Sequence, residues 1–548
     1  MKLHAKTILA IIGLVVFVRT FFNGFVMDDQ GLILQNFNVQ SLSNLFNFFR
    51  GSIFDYGGSL GGIYYRPMMT TYFSIIYTFF GANAFFYHAL QLAFHILTAI
   101  LVFSLFKKFI KENYAFILSI VFLIHPIQVE TVSYNAAIQD VLFVFFGLLF
   151  LNKLLDAQKG YWKLMPFAFL ILSVFSKEAG FLFAPLGLLL IYMRQKKDLL
   201  LNFGMSFGVF IFYIIMRFGV ARVMFHTTTE FPMMRMSFFE RVLSIPEIIL
   251  YYLKTFIFPL NLVSVQSWVV REINFPNFFF PLILITLLLS FGIFITSRFY
   301  KRKNIFGKLL FFWTFLVLGL LLHIQIVPLD LTVSDRWFYF PIIGLLGLIG
   351  VFFEIFNIEN LLKKRKIFTA FLVIVLVILS FYAVRSFMRV GDWANSKVLA
   401  FSDLKIQKDN YQLLSTLGGM YLEEKNYTLA QKYSKASVEI FPHWGTSYYN
   451  LGVSYHLDKK VKLAEGAYQR SIKNAPANIN AYENLAILYV YNYPPEKARS
   501  YSKESLKKFP TSAKLWHVLA LSEQKLGNDA AATEAARMLQ LFSKPSGI

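Results

Sequence analysis

The chain of 548 residues is 57% hydrophobic and 18% aromatic, with only 15% charged side chains and a mean hydropathy of +0.54. Soluble chains carry about 25% charged residues, so this composition excludes an ordinary soluble protein and predicts a polytopic membrane protein. The absence of cysteine excludes disulfides, thiolate metal sites and a cysteine nucleophile. The net charge of +22 reads as Lys and Arg that set orientation in a membrane, and nucleic acid is not expected as a partner.

The basic segment 1–6 precedes an apolar run from Thr7 to Phe22 with no small-x-small cleavage site after it. It reads as a retained first helix with its N-terminus inside. Basic clusters then mark inside loops: Lys107, Lys108 and Lys111; Lys153, Lys159 and Lys163; Arg194, Lys196 and Lys197; Arg298, Lys301, Arg302 and Lys303; and Lys363 to Lys366. Between them the apolar runs predict about eleven spans, near 7–23, 85–106, 114–130, 138–153, 162–176, 179–193, 199–219, 278–297, 308–328, 337–355 and 367–388. The stretch 241–263 contains Pro246, Lys254 and Pro259 and reads as an outer or re-entrant amphipathic segment, and 68–80 as a juxtamembrane helix. This topology puts everything after Arg389 on the non-cytoplasmic side.

The outside loops hold acids mixed with single bases. Asp28 and Asp29 follow the first span directly, and a carboxylate there suits a general base toward a hydroxyl, with the second as helper or cation ligand. Arg66, beside Tyr64, Tyr65 and Pro67, suits a phosphate at the membrane interface, or plain snorkelling. His125, Glu130 and Asp140 share the second outer loop and could bind a metal, position a sugar or cap the hairpin. Lys177 sits beside Glu178 and Arg336 beside Asp335; each base is either a phosphate ligand or paired with its neighbour. Ionisable groups gathered at helix ends on one side of a membrane are functional candidates.

Past Asp392 the composition turns polar and helical. Pro442, Pro476 and Pro510 fall 34 residues apart, the tetratricopeptide period. Inner positions repeat with them: Leu417-Gly418, Tyr421 and Ala430; Leu451-Gly452, Tyr455 and Ala464; Leu485-Ala486, Tyr489 and Ala498; then Trp516, Leu519-Ala520 and Ala532. The expected fold is therefore all-α. A transmembrane domain over 1–390 precedes a solenoid of about four repeats over 391–548, with a concave face suited to extended peptides.

The ordered set Phe25 to Asp29, Tyr65-Arg66-Pro67, Phe80 to Asn83 with His88 and His95, His125 to Glu130, Ser176-Lys177-Glu178 and Asp335 to Pro341, followed by the repeats, resembles the C-type polyprenol-dependent glycosyltransferases. The likeness is greatest to the transmembrane tetratricopeptide-repeat O-mannosyltransferases and their bacterial relatives. The resemblance implies transfer of a hexose, with mannose the candidate, from a polyprenyl-phosphate carrier to a hydroxyl of a protein or peptide on the outer side. It implies Asp28 as catalytic base with Asp29 as helper, and Arg66, Lys177 and Arg336 on the donor phosphate. His125, Glu130 and Asp140 fall in the sugar or metal loop, making a divalent cation a candidate cofactor of unspecified identity. The repeats would engage the acceptor, and the setting would be a bacterial inner membrane with a cytoplasmic N-terminus and periplasmic repeats. Two departures bear on donor identity: Gln139 stands where relatives carry arginine before the acid, and Asp335-Arg336 where they carry Glu-Arg. The alternatives are transfer to a surface polysaccharide or lipid, or a non-enzymatic scaffold or lipid-precursor transporter with a repeat receptor.

Overall fold

The computed structural model describes residues 2–53, 64–156, 163–194, 196–224 and 231–543. Lys159 and the middle of the first outer loop lie outside the described residues. Among those described, the chain is all-helical, with one isolated antiparallel bridge between Gln266 and Val333 and no strand. It forms two compact units: one holds the described residues through Ile406 except Phe231, the other Phe231 and the residues from Gln407.

In the first unit, seven helices are long and apolar enough to cross a membrane: His4–Phe22, Ala84–Phe106, Asn135–Leu155, Lys196–Val220, Phe275–Arg298, Lys303–Leu321 and Arg365–Asp392. An eighth follows if Glu112–Ile124 and Pro126–Ser133, bent by 48°, count as one span. The chain is thus a multi-pass membrane protein, and among its described residues fewer helices reach spanning length than the eleven spans expected. Three of the expected spans are shorter helices, Met165–Ser176, Phe183–Arg194 and Pro341–Ile355, of 12, 12 and 15 residues. A helix rises about 1.5 Å per residue, so these reach well short of a hydrocarbon core about 30 Å thick. Hydropathy extends over the flanking residues, but the backbone there is not α-helical: 335–338 is a 3₁₀ turn ahead of the helix that Pro341 opens, and 178–182 another.

Asn135–Leu155 is the most enclosed span, 72% of its apolar window being buried, against 6% for Arg365–Asp392. It packs against Ala84–Phe106 and Met165–Ser176 and brings the second loop to the centre of the unit. Pro126 causes the 48° bend. Lacking an N–H, it cannot continue the helix, and its ring pushes His125 to an extended ψ of 132°. Lys303–Leu321 and Pro341–Ile355 approach closely at Gly344, where an added Cβ would lie 2.5 Å from the Leu316 backbone nitrogen. That contact fixes the loop between them, which carries Asp330, Asp335 and Arg336. Phe238–Ile257 opens with a capping box of Ser237 and Glu240 and contains Pro246. It falls outside the helices long and apolar enough to span, as does Pro67–Phe80.

The second unit contains four helix pairs whose first helices begin at Tyr411, Gly445, Ile479 and Ala513, 34 residues apart. Ala430, Ala464 and Ala498 are fully buried and allow each second helix to lie close against the first. Pro442, Pro476 and Pro510 fall just beyond those second helices, where no further N–H is needed. The turn inside a pair takes a left-handed residue at Lys425 and Lys459, both at φ 57°, and at Gly527, φ 73°. Only the last is the residue type that conformation favours.

Candidate functional site

The polar residues of the first unit form two linked groups. The first is an acid corner after the opening helix. Asp29 is fully buried and accepts hydrogen bonds from the Val26 amide at 3.1 Å, the Ala136 amide at 2.8 Å and Asn135 Nδ2 at 3.2 Å. Burial outweighs these donors and pushes its carboxyl up to about 7, with Asp28 adding to the rise. Asp28 faces the other way. It is exposed, and its Oδ2 accepts a 2.7 Å bond from the Tyr134 hydroxyl. Met27 sets this divergence by adopting φ 50°, with its amide donating to Ser396 Oγ at 3.3 Å. A β-free residue would tolerate that φ more readily, so the turn is strained at methionine.

The second group is a basin of paired cations. Arg336 donates to Glu130 Oε1 at 2.6 Å, and its amide to Oε2 at 3.2 Å, while Ser334 Oγ donates to Oε1 at 2.8 Å. Lys177 donates to Asp140 Oδ1 at 2.5 Å, and Asp140 Oδ2 is buried with no hydrogen-bond partner. Arg66 donates to Glu178 Oε2 at 3.1 Å and also to Gln139 Oε1, and its guanidinium lies 4.1 Å from the Tyr64 ring centroid. Side-chain exposure of Arg66, Lys177 and Arg336 is 9%, 11% and 15%. Ions this enclosed feel each other strongly because little water screens them. Burial lowers the Lys177 ammonium, and Arg66 and Arg336 push the same way against Asp140. Burial alone would lower Arg336, but Glu130 and its other anionic neighbours hold it above the ordinary range.

Tyr134 joins the two groups. Its hydroxyl reaches Asp28, and Arg336 Cζ lies 5.5 Å from its ring centroid. Asp330 is half-buried nearby; burial raises its carboxyl, Arg336 opposes the rise, and the charge on Asp28 adds to it. A cavity of about 10 Å³ lies among Asp140, His323, Arg336, Trp337 and Phe340, on the order of the space one water needs. His323 stacks on Trp337 at 4.8 Å and bonds the Gly319 carbonyl, and burial with Lys177 lowers its imidazole to about 3.

The structure therefore gathers Asp28, Asp29, Arg66, Glu130, Asp140, Lys177 and Arg336 in one unit. The neighbour pairings open in the sequence are not the ones made. Lys177 is extended, φ −158° and ψ 143°, which turns it away from Glu178. Glu178 instead accepts from Arg66 and Arg217. Asp335 parts from Arg336 and accepts from Tyr251 at 2.6 Å; burial and the charge on Glu130 push it up to about 8. His125 lies apart from the basin. Its Nδ1 accepts from the Ile127 amide at 3.1 Å, so Nε2 carries the proton and donates to the Phe256 carbonyl at 2.9 Å. His95 is a core residue bonded to Tyr339 and the Leu123 carbonyl, each at 2.9 Å.

His125, Glu130 and Asp140 do not share one ligand point, and among the described residues no three His, Cys, Asp or Glu side chains group as a metal site. The basin acids face Lys and Arg instead, a donor set that does not fit a resident divalent cation. Sequence reasoning missed Tyr134, Asn135, Arg217, Tyr251 and Trp393. Arg217 alone carried a signal, as a single base at the end of an apolar span. The others are lost among the 18% of aromatic residues or in an unremarked loop.

Fold and site together describe a multi-pass helical membrane protein with a polar centre in its first unit and a second unit of repeated helix pairs. No family model matches the chain. It is similar to the human protein O-mannosyl-transferase TMTC3, 22% identical over 496 residues, covering 83% of this chain and 53% of that protein. The mouse protein O-mannosyl-transferase TMTC3 is likewise 22% identical over 478 residues, covering 80% and 51%. This accords with the resemblance drawn from the motifs. The chain spans about half the length of these relatives.

Proposed function

We propose that this protein is a membrane glycosyltransferase that moves a hexose, with mannose the candidate sugar, from a polyprenyl-phosphate carrier to a hydroxyl of a protein or peptide. One observation carries the reading: an exposed carboxylate, Asp28, sits one tyrosine away from a basin of enclosed cations. The name of the relatives, protein O-mannosyl-transferase, supports the same reaction class.

In this reading Asp28 takes the proton from the acceptor hydroxyl as its oxygen bonds to the anomeric carbon. The bond from that carbon to the phosphate oxygen breaks, and polyprenyl phosphate leaves with the electron pair. Arg336, Lys177 and Arg66 stabilise the charge on the leaving phosphate, the larger electrostatic contribution in a water-poor site. Glu130, Asp140 and Glu178 keep these cations oriented before the donor arrives. Asp29 acts through the backbone by holding residues 26–29 and 135–136 together. Attack opposite the leaving phosphate inverts the anomeric centre. No step is routed through a metal. The second unit, read as tetratricopeptide repeats, offers the acceptor a binding face. The basic loops orient the chain with its N-terminus in the cytoplasm and its polar centre and repeats outside, as at a bacterial inner membrane.

The test is to incubate purified protein with a panel of polyprenyl-phosphate sugars and a periplasmic protein extract, then follow mass added to peptides. Hexose on peptides with one donor is the expected result. No added mass with any donor would contradict the reading and favour a non-enzymatic scaffold.

A further inference from the structure

The chain leading to Asp28 and, through Tyr134, the Asp28 side chain are held by a distant segment, the elbow 390–396 where Arg365–Asp392 ends and Ser396–Ile406 begins. Asn23 Nδ2 donates to the Val390 carbonyl at 3.1 Å and the Gly24 amide to the Ala394 carbonyl at 2.9 Å. The Met27 amide donates to Ser396 Oγ at 3.3 Å. These bonds fix the chain on the approach to Asp28. The side chain is fixed through Tyr134, which donates to Asp28 Oδ2 and stacks on Trp393, ring centroids 5.7 Å apart and planes at 28°. Arg336 faces the same tyrosine ring.

Trp393 is 1% exposed, and its indole N–H has no hydrogen-bond partner among the described residues. A buried donor of this kind normally finds one. Phenylalanine would fill much of the same space without that cost; what the indole adds is a broader face, which stacks on Tyr134 and lies 5.9 Å from Arg389 Cζ. With two side-chain torsions, the Trp393 ring stacked on it and the Arg336 guanidinium 5.5 Å from its ring centroid, Tyr134 has little freedom to move its hydroxyl.

Resting on the glycosyltransferase reading, we infer that Trp393 and Tyr134 are positioning residues that fix one oxygen of the Asp28 carboxylate, leaving the other for the acceptor hydroxyl, and set its distance from Arg336. A misplacement on the order of 1 Å costs about 100-fold in rate when geometry is the catalytic resource. Loss of positioning should therefore fall on turnover and leave donor binding intact.

The experiment compares Tyr134→Phe, Trp393→Ala and Trp393→Phe with the wild-type full-length protein, using whichever polyprenyl-phosphate sugar the panel shows to be transferred and a Ser/Thr-rich peptide. Tyr134→Phe removes one oxygen atom and keeps the stack. It is expected to lower kcat about tenfold or more with donor KM within about twofold. Trp393→Ala should lower kcat in the same way, and Trp393→Phe should recover most of it. Wild-type kcat in Tyr134→Phe, or a raised donor KM with unchanged kcat, overturns the inference even if Trp393→Ala fails to fold. Asp28→Asn separates the two ideas. An inactive Asp28→Asn beside a fully active Tyr134→Phe overturns the positioning role alone. A fully active Asp28→Asn, or no transfer by the wild type with any donor, overturns the reading and the inference together.

Discussion

The acid corner and the cation basin solve the burial of charge differently. In the basin each of Arg66, Lys177 and Arg336 is matched to a carboxylate at 2.5 to 3.1 Å, and the pairs bridge helices far apart in the chain. At the corner two adjacent carboxylates have no cation bonded to them among the described residues and diverge: Asp29 is enclosed by backbone and amide donors, Asp28 is left exposed. The difference separates architecture from chemistry. The basin holds its charges by mutual pairing, so its cations are oriented in advance of an anion. The corner commits one acid to structure and leaves its neighbour exposed, which the proposed role of Asp28 requires.

The largest expected stability effect breaks the basin. Glu130→Gln leaves the Arg336 guanidinium enclosed without its counter-charge and should cost about 3 kcal/mol, since removing one partner of a buried pair is strongly destabilising. Thermal or denaturant unfolding in detergent checks this. Asp29→Ala strips the acceptor from three donors and should cost roughly 2 kcal/mol.

A pH series sharpens the same contrast. The Asp29 carboxyl titrates near 7 in the folded protein against an ordinary value of 3.8. Between those values the unfolded chain has released a proton that the folded chain keeps, so this group's contribution to stability falls as pH rises from about 4 to about 7. Stability of wild type minus that of Asp29→Asn should decline across that window. A flat difference would place Asp29 in a more polar setting than its burial indicates.

A smaller effect is expected from cutting the chain after Ile406. Asp403 belongs to the first unit: it is buried and accepts from Arg389 at 2.6 Å and from Ser264 Oγ at 2.6 Å. A cut that keeps it should leave the first unit folded and transfer to a small hydroxyl acceptor intact, while transfer to protein falls. Loss of both would make the repeats part of the catalytic fold. Lys507→Ala, which removes an exposed pair with Glu504, should change neither stability nor transfer measurably.

Much of the architecture can be read from residue spacing because it depends on local rules. The 34-residue recurrence of prolines and small residues marks the starts of the four helix pairs at Tyr411, Gly445, Ile479 and Ala513. Apolar runs mark the long spans. Span number is less legible, since hydropathy does not reveal where Pro126 bends a helix or where 335–338 and 178–182 tighten into 3₁₀ turns. At the site, residue types are legible, but partners are not. Glu130 meets Arg336 across 206 positions, whereas adjacent Lys177 and Glu178 part because the backbone there is extended. Nothing in the string Met27-Asp28-Asp29 says which acid turns inward. That follows from the φ of Met27 and a hydrogen bond to Ser396, 369 residues away.

The central claim is that Asp28 does the chemistry while Asp29 holds the corner, and one measurement addresses it directly. Sugar transfer and melting temperature are recorded in parallel for wild type and Asp28→Asn. The account predicts an unchanged melting temperature, because Asp28 is exposed, with transfer reduced at least about 100-fold. Transfer by folded Asp28→Asn at the wild-type rate would contradict it.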